Sequence, residues 1–204
     1  MTKAIIFDFG NVIARFDNDI FLQYLSSHTD KNPEELKKLI YPVQEITLPK
    51  KYETGLVTSS EFYNEIEKLT DAHISEELFK EIYTQDKFWP IPSTIGLIRD
   101  LRKKGYKIGL LSNTSELDYE LGMKPIFRRA RIEFDSESLS FQVRAMKPLR
   151  DIYFHALENL NLPGGECVYI DDIKGYVTRA EELGMKGVHC ENPENLEREL
   201  TAFL

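Results

Sequence analysis

Short apolar runs, separated by longer stretches of helical character, constrain this fold more than any other feature of the sequence. The runs are Ala4–Phe7, Tyr106–Leu111, Cys167–Ile170 and Gly187–Cys190, with a weaker one at Arg131–Phe134. Helices are expected between them at Thr94–Lys104, at Asp151–Leu160 and immediately before Gly184. Such runs are typical of strands covered on both faces, and their alternation with helices predicts βαβ units. The sequence therefore predicts an α/β fold with a parallel sheet.

One long stretch, from about Arg15 to Trp89, contains no strand-like run. Its apolar residues recur at helical spacing and predict helices at Asp19–Ser27, Pro33–Ile40, Ser59–Leu69 and Ser75–Thr84. Capping residues are expected at Asn32, at Ser59 or Ser60, and at Ser75. A helical insert after the first strand would lie beside the sheet edge where α/β proteins bind ligands. We therefore divide the chain into an α/β core, residues 1–14 and 92–204, and a helical cap, residues 15–91.

Charge and composition argue against several classes of function. The 204 residues carry a formal net charge of −8, so the chain as a whole does not attract nucleic acid or an anionic membrane. No apolar run approaches the roughly 20 residues of a membrane-spanning helix, and Asp8 interrupts the N-terminal run too early for a signal peptide. Cys167 and Cys190 lack metal-ligand spacing, which favours a reducing compartment. We expect a cytoplasmic, soluble protein without nucleic-acid or membrane partners.

Polar side chains lie at or just after the ends of the predicted strands. They are Asp8 after the first run, Ser112 and Asn113 after the second, Lys147 before the helix that leads to the third, and Asp171 with Asp172 after that run. The carboxyl ends of parallel strands share one edge of a sheet, so residues far apart in sequence converge there. We therefore expect all of these side chains in one crevice.

This group of side chains is complementary to a phosphate and a hard divalent cation. Carboxylate oxygens bind Mg²⁺, and a lysine presents a point positive charge to phosphoryl oxygens. A hydroxyl such as that of Ser112, together with loop amides, can donate hydrogen bonds to the same oxygens. A carboxylate can also attack phosphorus to give an aspartyl-phosphate, which water then hydrolyses. The pattern predicts phosphoryl transfer from a small phosphorylated molecule with Mg²⁺ as cofactor.

The order and spacing of these motifs resemble those of the haloacid dehalogenase-like (HAD) hydrolases. Each motif alone is a weak signal, but together they extend over essentially the whole chain. The resemblance implies a Rossmann-like three-layer α/β core with a small inserted helical cap. It also implies that Asp8 is the nucleophile and a metal ligand. Asp172 would be a second direct metal ligand with Asp171 behind it, and Gly10 would bind the metal through its backbone carbonyl. Ser112, Asn113 and Lys147 would bind the phosphate, and Lys147 would be catalytic as well.

The stretch Phe7-Asp8-Phe9-Gly10-Asn11-Val12-Ile13 resembles one branch of this family. That branch includes sugar-phosphate phosphatases that act on substrates of the glucose-1-phosphate type. The resemblance therefore implies a Mg²⁺-dependent phosphohydrolase that acts on a small phosphorylated metabolite, with a sugar phosphate favoured, through an aspartyl-phosphate at Asp8.

Position 10 departs from the family pattern, because most family phosphatases carry a second aspartate there as general acid and base. Such proton transfer typically contributes 10²–10⁴-fold to the rate. Asp17, Asp171 or the cap residue Glu53 could replace that aspartate, or a water could. A substrate with a good leaving group would need less protonation, and a slow enzyme is the remaining alternative.

Two further points stay open from the sequence. Tyr176 occupies a position where this branch often has asparagine, which removes a hydrogen bond from the metal loop or is simply tolerated. The alternative functions are a 2-haloacid dehalogenase, against which the pair Asp171-Asp172 argues, and a weakly active binding or scaffold protein, which Gly10 would explain. A phospho-acceptor signalling domain has its acidic motifs in the reverse order along the chain.

Overall fold

The computed structural model describes residues 1–43 and 46–204. Within these residues the strands are β1 (Ala4–Phe7), β2 (Ala14–Phe16), β3 (Phe88–Pro90), β4 (Lys107–Ser112), β5 (Ser136–Leu139), β6 (Cys167–Asp171) and β7 (Lys186–His189). The α-helices are α1 (Asp19–Ser26), α2 (Pro33–Ile40), α3 (Leu48–Glu53), α4 (Ser59–Thr70), α5 (Glu76–Thr84), α6 (Pro92–Lys103), α7 (Lys124–Ala130), α8 (Ser140–Val143), α9 (Arg150–Leu160), α10 (Lys174–Glu182) and α11 (Leu196–Leu200). None of the described helices is both long and apolar enough to cross a membrane.

Five of the strands form one parallel sheet in the order β5-β4-β1-β6-β7. The central strand is β1, where Ile6 is in register with Gly109 of β4 and with Tyr169 of β6. The helices lie on both faces of this sheet, so the structure confirms the predicted Rossmann-like α/β fold with three layers.

Alternate residues of β1 enter the apolar layers on opposite faces of the sheet. Ile5 and Phe7 pack in the layer that includes α6, α7 and α11, whereas Ala4 and Ile6 pack in the layer that includes α9 and α10. All four are completely buried. Burial of a large apolar side chain contributes about 1.5–3 kcal/mol, and a slip of one residue would exchange the two faces. The register of β1 is therefore strongly fixed, and so is the point where Asp8 leaves the strand.

Helices α1–α5 enclose an apolar cluster, to which the sheet domain contributes the buried side chain of Leu117. Its centre is aromatic and consists of Phe21, Tyr52, Phe62, Phe79 and Tyr83. The structure contains all four predicted cap helices, each with ends within one residue of the expected ones. A separate core of this kind lets the cap hold its shape while contacting the sheet domain along one side.

The capping pattern agrees with the prediction at two helices and differs at a third. Asn32 accepts a hydrogen bond from the amide of Glu35, and Ser75 accepts one from that of Leu78. At α4 the cap is Thr58, and the predictions of Ser59 or Ser60 were wrong. The Glu61 carboxylate accepts a hydrogen bond from the Thr58 amide, and this reciprocal capping box requires a spacing of three residues.

Three elements of the cap region were not predicted. Strands β2 and β3 pair antiparallel, with Arg15 opposite Trp89, so the expectation of no strand between Arg15 and Trp89 was wrong at both of its ends. Helix α3 was missed because Pro49 interrupts a short apolar pattern. Pro49 instead lies in the first turn, where proline is tolerated, behind the Thr47 cap.

The β2–β3 ribbon is the place where the chain leaves and re-enters the sheet domain. All five cap helices lie between its two strands. We propose that the boundary between the core, residues 1–14 and 92–204, and the cap, residues 15–91, passes through this ribbon. The separate apolar cluster of the cap supports this division.

The prediction of a weak strand at Arg131–Phe134 was also wrong. The edge strand is β5, a few residues later, with the polar sequence Ser-Glu-Ser-Leu. Arg131 has a left-handed backbone with φ of 52° and ends α7, so the preceding segment cannot be extended there. An apolar pattern misses β5 because backbone pairing with β4 and burial of small serine side chains define this strand.

Candidate active site

The carboxyl edge of the sheet brings the predicted site residues together. Asp8 directly follows β1, while Ser112 and Asp171 end the neighbouring strands β4 and β6. A cleft of about 380 Å³ lies over this edge, beneath the cap. The predicted residues that line the cleft are Asp8, Gly10, Ser112, Asn113, Lys147 and Asp172. Asp171 lies beneath them and is fully buried.

Lys147 connects two carboxylates in the floor of the cleft. Its Nζ lies 2.8 Å from Asp8 Oδ1 and 2.7 Å from Asp171 Oδ2, and all three side chains are buried. Burial acts to lower the pKa of the Lys147 ammonium, but the two carboxylates outweigh burial and raise this pKa above its ordinary value. Lys147 is therefore a charged group in a region of low dielectric.

The pKa of Asp8 is raised to about 7, because burial disfavours its charged form. Lys147 acts in the opposite direction, and the nearby charge of Asp171 adds to the rise. A cation bound beside Asp8 would favour the carboxylate and lower this pKa.

The Asp171 carboxylate accepts hydrogen bonds from three donors. Besides Lys147, it accepts hydrogen bonds from the Tyr169 hydroxyl and, over 2.8 Å, from the Ile173 amide. Its exposed fraction is 0%. Asp171 therefore orients Lys147 and fixes the loop after β6, and it cannot reach a leaving group in the cleft.

The acidic side chains offer a site for a hard cation. One oxygen from each of Asp8, Asp171 and Asp172 lies within 4.8 Å of the others. Asp172 is held in place by Asn11, whose Nδ2 donates a hydrogen bond of 2.9 Å to Asp172 Oδ2. Since donors already occupy Asp171, Asp8 and Asp172 are the carboxylates that fit Mg²⁺ as ligands, and the Gly10 backbone lines the same cleft.

Besides lining the cleft, the Asn113 side chain binds the backbone of Lys147. Its Oδ1 accepts a hydrogen bond of 2.8 Å from the Lys147 amide, and its Nδ2 donates one of 3.3 Å to the Lys147 carbonyl. The side chain thus holds the backbone of the lysine in place. The sequence identified Asn113 correctly as a residue of the cleft, but it gave no sign of this clamp.

The aromatic ring of Tyr176 packs over Lys147. Lys147 Nζ lies 5.1 Å from the centre of this ring, within the range of a cation–π contact. Tyr176 also lines the cleft. The tyrosine at this position therefore covers the lysine, whereas the sequence could only identify a missing asparagine.

The space beside Gly10 is filled by Phe16 of β2. A Cβ atom added at Gly10 would lie 2.9 Å from Phe16 Cε1, closer than side chains normally approach. The Phe16 ring lines the cleft and is 40% exposed. Position 10 thus lacks both an acidic side chain and the room for one in this arrangement.

A second buried ion pair forms part of the cap-side wall. Lys87, the residue before β3, lies 2.6 Å from Asp118, and both side chains are almost completely buried. The Ser115 hydroxyl donates a further hydrogen bond of 3.0 Å to Asp118. Asp118 begins a π-helical segment, Asp118–Met123, a rare geometry often found at functional sites. In the sequence both residues read as ordinary surface charges, so neither was predicted.

Among the proposed replacements for the missing acid, only Glu53 faces the cleft. Asp17 is exposed, and its Oδ1 accepts a hydrogen bond from the Asp19 amide at the start of α1. Glu53, the last residue of α3, lines the cleft and is half-buried. Burial raises the pKa of Glu53 to about 7, and Asp118 adds to this rise while Lys87 and Lys50 oppose it.

Comparison with known proteins supports the same interpretation of the fold. The chain is 24% identical to the D-ribitol-5-phosphate phosphatase of Bacteroides thetaiotaomicron over 220 residues, an alignment that covers 100% of this chain and 99% of that protein. A predicted HAD-like hydrolase from Porphyromonas gingivalis superposes with a TM-score of 0.81 at 23% identity, covering 99% and 97% of the two chains.

A HAD family enzyme from Bacteroides thetaiotaomicron, in complex with magnesium and inorganic phosphate, superposes with a TM-score of 0.76 at 21% identity, covering 92% and 93% of the two chains. The model of the family described as haloacid dehalogenase-like hydrolase matches residues 2–174 of the present chain. The chain is therefore a hydrolase and belongs to the haloacid dehalogenase-like family.

Proposed function

We propose that this protein is a Mg²⁺-dependent phosphatase that acts on a small phosphorylated sugar or polyol through an aspartyl-phosphate at Asp8. The observation that carries the proposal is the position of Asp8 in the cleft. It emerges from the central strand, contacts Lys147, and lies beside Asp172, which Asn11 holds in place. A nucleophile, a cation site and a phosphate-binding lysine are thus present within one cleft.

Each residue in the floor of the cleft has a separate role in phosphoryl transfer. Asp8 attacks phosphorus, and Lys147 neutralises charge on the oxygens of the transferring group. The Ser112 hydroxyl and the backbone around Asn113 bind the same oxygens. Mg²⁺, held by Asp8, Asp172 and the Gly10 carbonyl, would supply further charge stabilisation and orient the phosphate. Burial of the cleft beneath the cap strengthens these electrostatic contacts.

The size and polarity of the cleft favour a small, hydroxyl-bearing substrate. Its volume of about 380 Å³ suits a metabolite and excludes a macromolecule from the interior. Asn18, Lys50 and Glu53 place polar groups along the cap side, where sugar or polyol hydroxyls could be bound. The relative that acts on D-ribitol 5-phosphate supports the same class of substrate.

Phosphate release from a panel of sugar and polyol phosphates tests the proposal. We expect turnover that requires Mg²⁺, stops with a chelator, and is lost in Asp8→Asn. Halide release from 2-haloacids without metal would overturn the proposal in favour of a dehalogenase. If no phosphate ester is hydrolysed above the Asp8→Asn background, the protein is a binding or scaffold protein.

A further inference from the structure

We propose that Glu53, carried by the cap, is the general acid and base of the reaction and takes the place of the side chain that position 10 lacks. This inference rests on the proposed phosphatase function. It would place the proton-transfer group on a different domain from the nucleophile.

Position 10 supplies no proton donor, because it is glycine and the Phe16 ring fills the space beside it. The ring occupies the space into which a side chain at position 10 would project. No proton donor can therefore extend from that position while Phe16 keeps this arrangement, and the aromatic ring itself offers none.

The other acidic residues that line the cleft already have partners. Asp8 pairs with Lys147, and Asp172 accepts a hydrogen bond from Asn11. Asp118 forms a buried pair with Lys87. Within residues 1–43 and 46–204, the Glu53 carboxylate has neither a hydrogen bond nor an ion pair, although it faces the same cleft. It is thus available to a substrate.

The backbone around Glu53 is held firmly against the core. The Ser140 hydroxyl contacts both the Glu53 carbonyl at 2.6 Å and the Thr114 amide at 2.9 Å, which connects α3 to the loop after β4. Gly55 has φ of +68° and approaches so closely that a Cβ there would overlap the carbonyl oxygen of Phe141. Such contacts on a short helix are typical of a side chain that must be positioned accurately.

The preceding residue adds a second anchor. The Tyr52 hydroxyl accepts a hydrogen bond of 3.1 Å from the Leu117 amide of the core and lies 2.8 Å from Ser59 Oγ of α4. Its ring stacks on Phe62 in the centre of the cap. Glu53 therefore follows a residue that is fixed to both domains.

The charges around Glu53 allow it to exist in both protonation states near neutral pH. Burial and the carboxylate of Asp118 favour the protonated form, while the ammonium groups of Lys87 and Lys50 favour the ionised form. A group balanced in this way can donate a proton in one step and accept one in the next.

Glu53 returns to its initial protonated state over the two steps of the reaction. As Asp8 forms a bond to phosphorus and the ester P–O bond breaks, protonated Glu53 gives its proton to the leaving oxygen, which departs as an alcohol. Ionised Glu53 then takes a proton from the attacking water. The water oxygen bonds to phosphorus, the bond from Asp8 to phosphorus breaks, and orthophosphate leaves with Glu53 protonated again.

The test is the Glu53→Gln variant, assayed under single-turnover conditions with phenyl phosphate and p-nitrophenyl phosphate. These esters have similar shapes and no additional hydroxyls, but phenolate is the poorer leaving group. We expect phosphorylation of Asp8 by phenyl phosphate to slow by roughly 10²–10⁴-fold, and that by p-nitrophenyl phosphate to slow much less. Wild-type phosphorylation should decline above about pH 7, where Glu53 ionises, and the variant should lack this decline.

Controls separate this proposal from the phosphatase function. Glu77→Gln, at an exposed cap position, should leave both rates unchanged. Equal slowing of the two esters in Glu53→Gln, or a change in KM alone, would overturn the acid–base role and indicate substrate binding. Full activity of the Glu53→Gln variant would also overturn the acid–base role. If the wild type itself shows no Mg²⁺-dependent turnover, the phosphatase function is overturned instead.

Discussion

The two walls of the cleft are constructed differently. The core wall comprises Asp8, Ser112, Lys147, Asp171 and Asp172, and the cap-side wall comprises Phe16, Glu53, Lys87 and Asp118. Most residues of the core wall lie at the ends of three adjacent strands, so the sheet register determines their positions. The cap-side wall draws one residue from each of four segments that only tertiary packing brings together.

The walls also differ in how their lysines are paired. Lys147 of the core wall is shared by two carboxylates, whereas Lys87 of the cap-side wall forms an ion pair with one carboxylate of the described residues, that of Asp118. The carboxylate of Glu53, the other acidic side chain of the cap-side wall, forms no hydrogen bond or ion pair with the described residues, and Lys87 and Lys50 act on it only as nearby charges. We infer that the core wall performs phosphoryl transfer and the cap-side wall handles the leaving group.

The largest effect is expected from Lys147→Met, which breaks the core wall. Loss of the lysine leaves Asp8 and Asp171 buried without a cation, a change that typically costs about 3–5 kcal/mol of unfolding free energy. Since the pKa of Asp8 is already about 7, this carboxylate can take up a proton as the pH falls. The loss should be greatest at pH 8 and smaller at pH 5.5, because a raised folded-state pKa removes stability as the pH increases.

Urea unfolding at the two pH values measures this effect. The exposed pair of Lys103 with Asp100 provides the control, and Lys103→Met should change the unfolding free energy by less than about 0.5 kcal/mol. A loss in Lys147→Met that does not depend on pH would show that Asp8 does not titrate with a raised pKa in the folded protein.

Addition of Mg²⁺ should stabilise the core wall specifically. A ligand present at about 100 times its Kd adds about 2.7 kcal/mol to the unfolding free energy. The increase should be greater at pH 8 than at pH 5.5, because protons compete with the cation for Asp8, whose pKa is about 7. Thermal unfolding with and without Mg²⁺ measures it, and an equal increase in Asp172→Asn would contradict the assigned ligands.

The pair between Lys87 and Asp118 is the corresponding contact of the cap-side wall. A double-mutant cycle with Lys87→Met and Asp118→Asn should give a coupling energy of about 1–3 kcal/mol, since both groups are buried. The exposed cap pair of Lys37 with Asp19 should give much less. Equal coupling in the two cycles would mean that burial gives the cap-side pair no added strength.

The smallest effect is expected when the proton-donating carboxylate is moved from position 53 of the cap to position 10 of the core. In the Glu53→Gln background, Gly10→Asp together with Phe16→Ala should raise the rate of Asp8 phosphorylation by phenyl phosphate about tenfold or more above that of Glu53→Gln alone. Gly10→Asp alone should restore less, because Phe16 Cε1 lies 2.9 Å from the new Cβ. Equal rescue by the single and double changes would show that Phe16 does not block this position.

The sequence predicted the core wall because its residues are adjacent to buried strands. An apolar run that ends in Asp8 or Asp171 marks both the strand and the polar residue at its end, and parallel pairing then brings these ends together. Edge strand β5 escaped the same reasoning since its serines are buried by backbone pairing and not by hydrophobicity. The division of the chain into core and cap remains a prediction.

The cap-side wall could be predicted only in part. Glu53 was one of three candidates in the sequence, and no local pattern distinguished it from Asp17. The Phe16 ring beside Gly10 and the pairing of Lys87 with Asp118 depend on contacts across long sequence separations. A sequence pattern with helical or strand period contains no information about such contacts.

The most direct test of the account is detection of the covalent intermediate on Asp8. Wild-type enzyme turning over p-nitrophenyl phosphate with Mg²⁺ would be quenched in acid within one turnover, treated with hydroxylamine, and analysed by peptide mass spectrometry. We predict a hydroxamate on Asp8 that is absent from the Asp8→Asn variant and from samples without Mg²⁺. A phosphoryl adduct on another residue, or undiminished turnover by Asp8→Asn, would contradict the account.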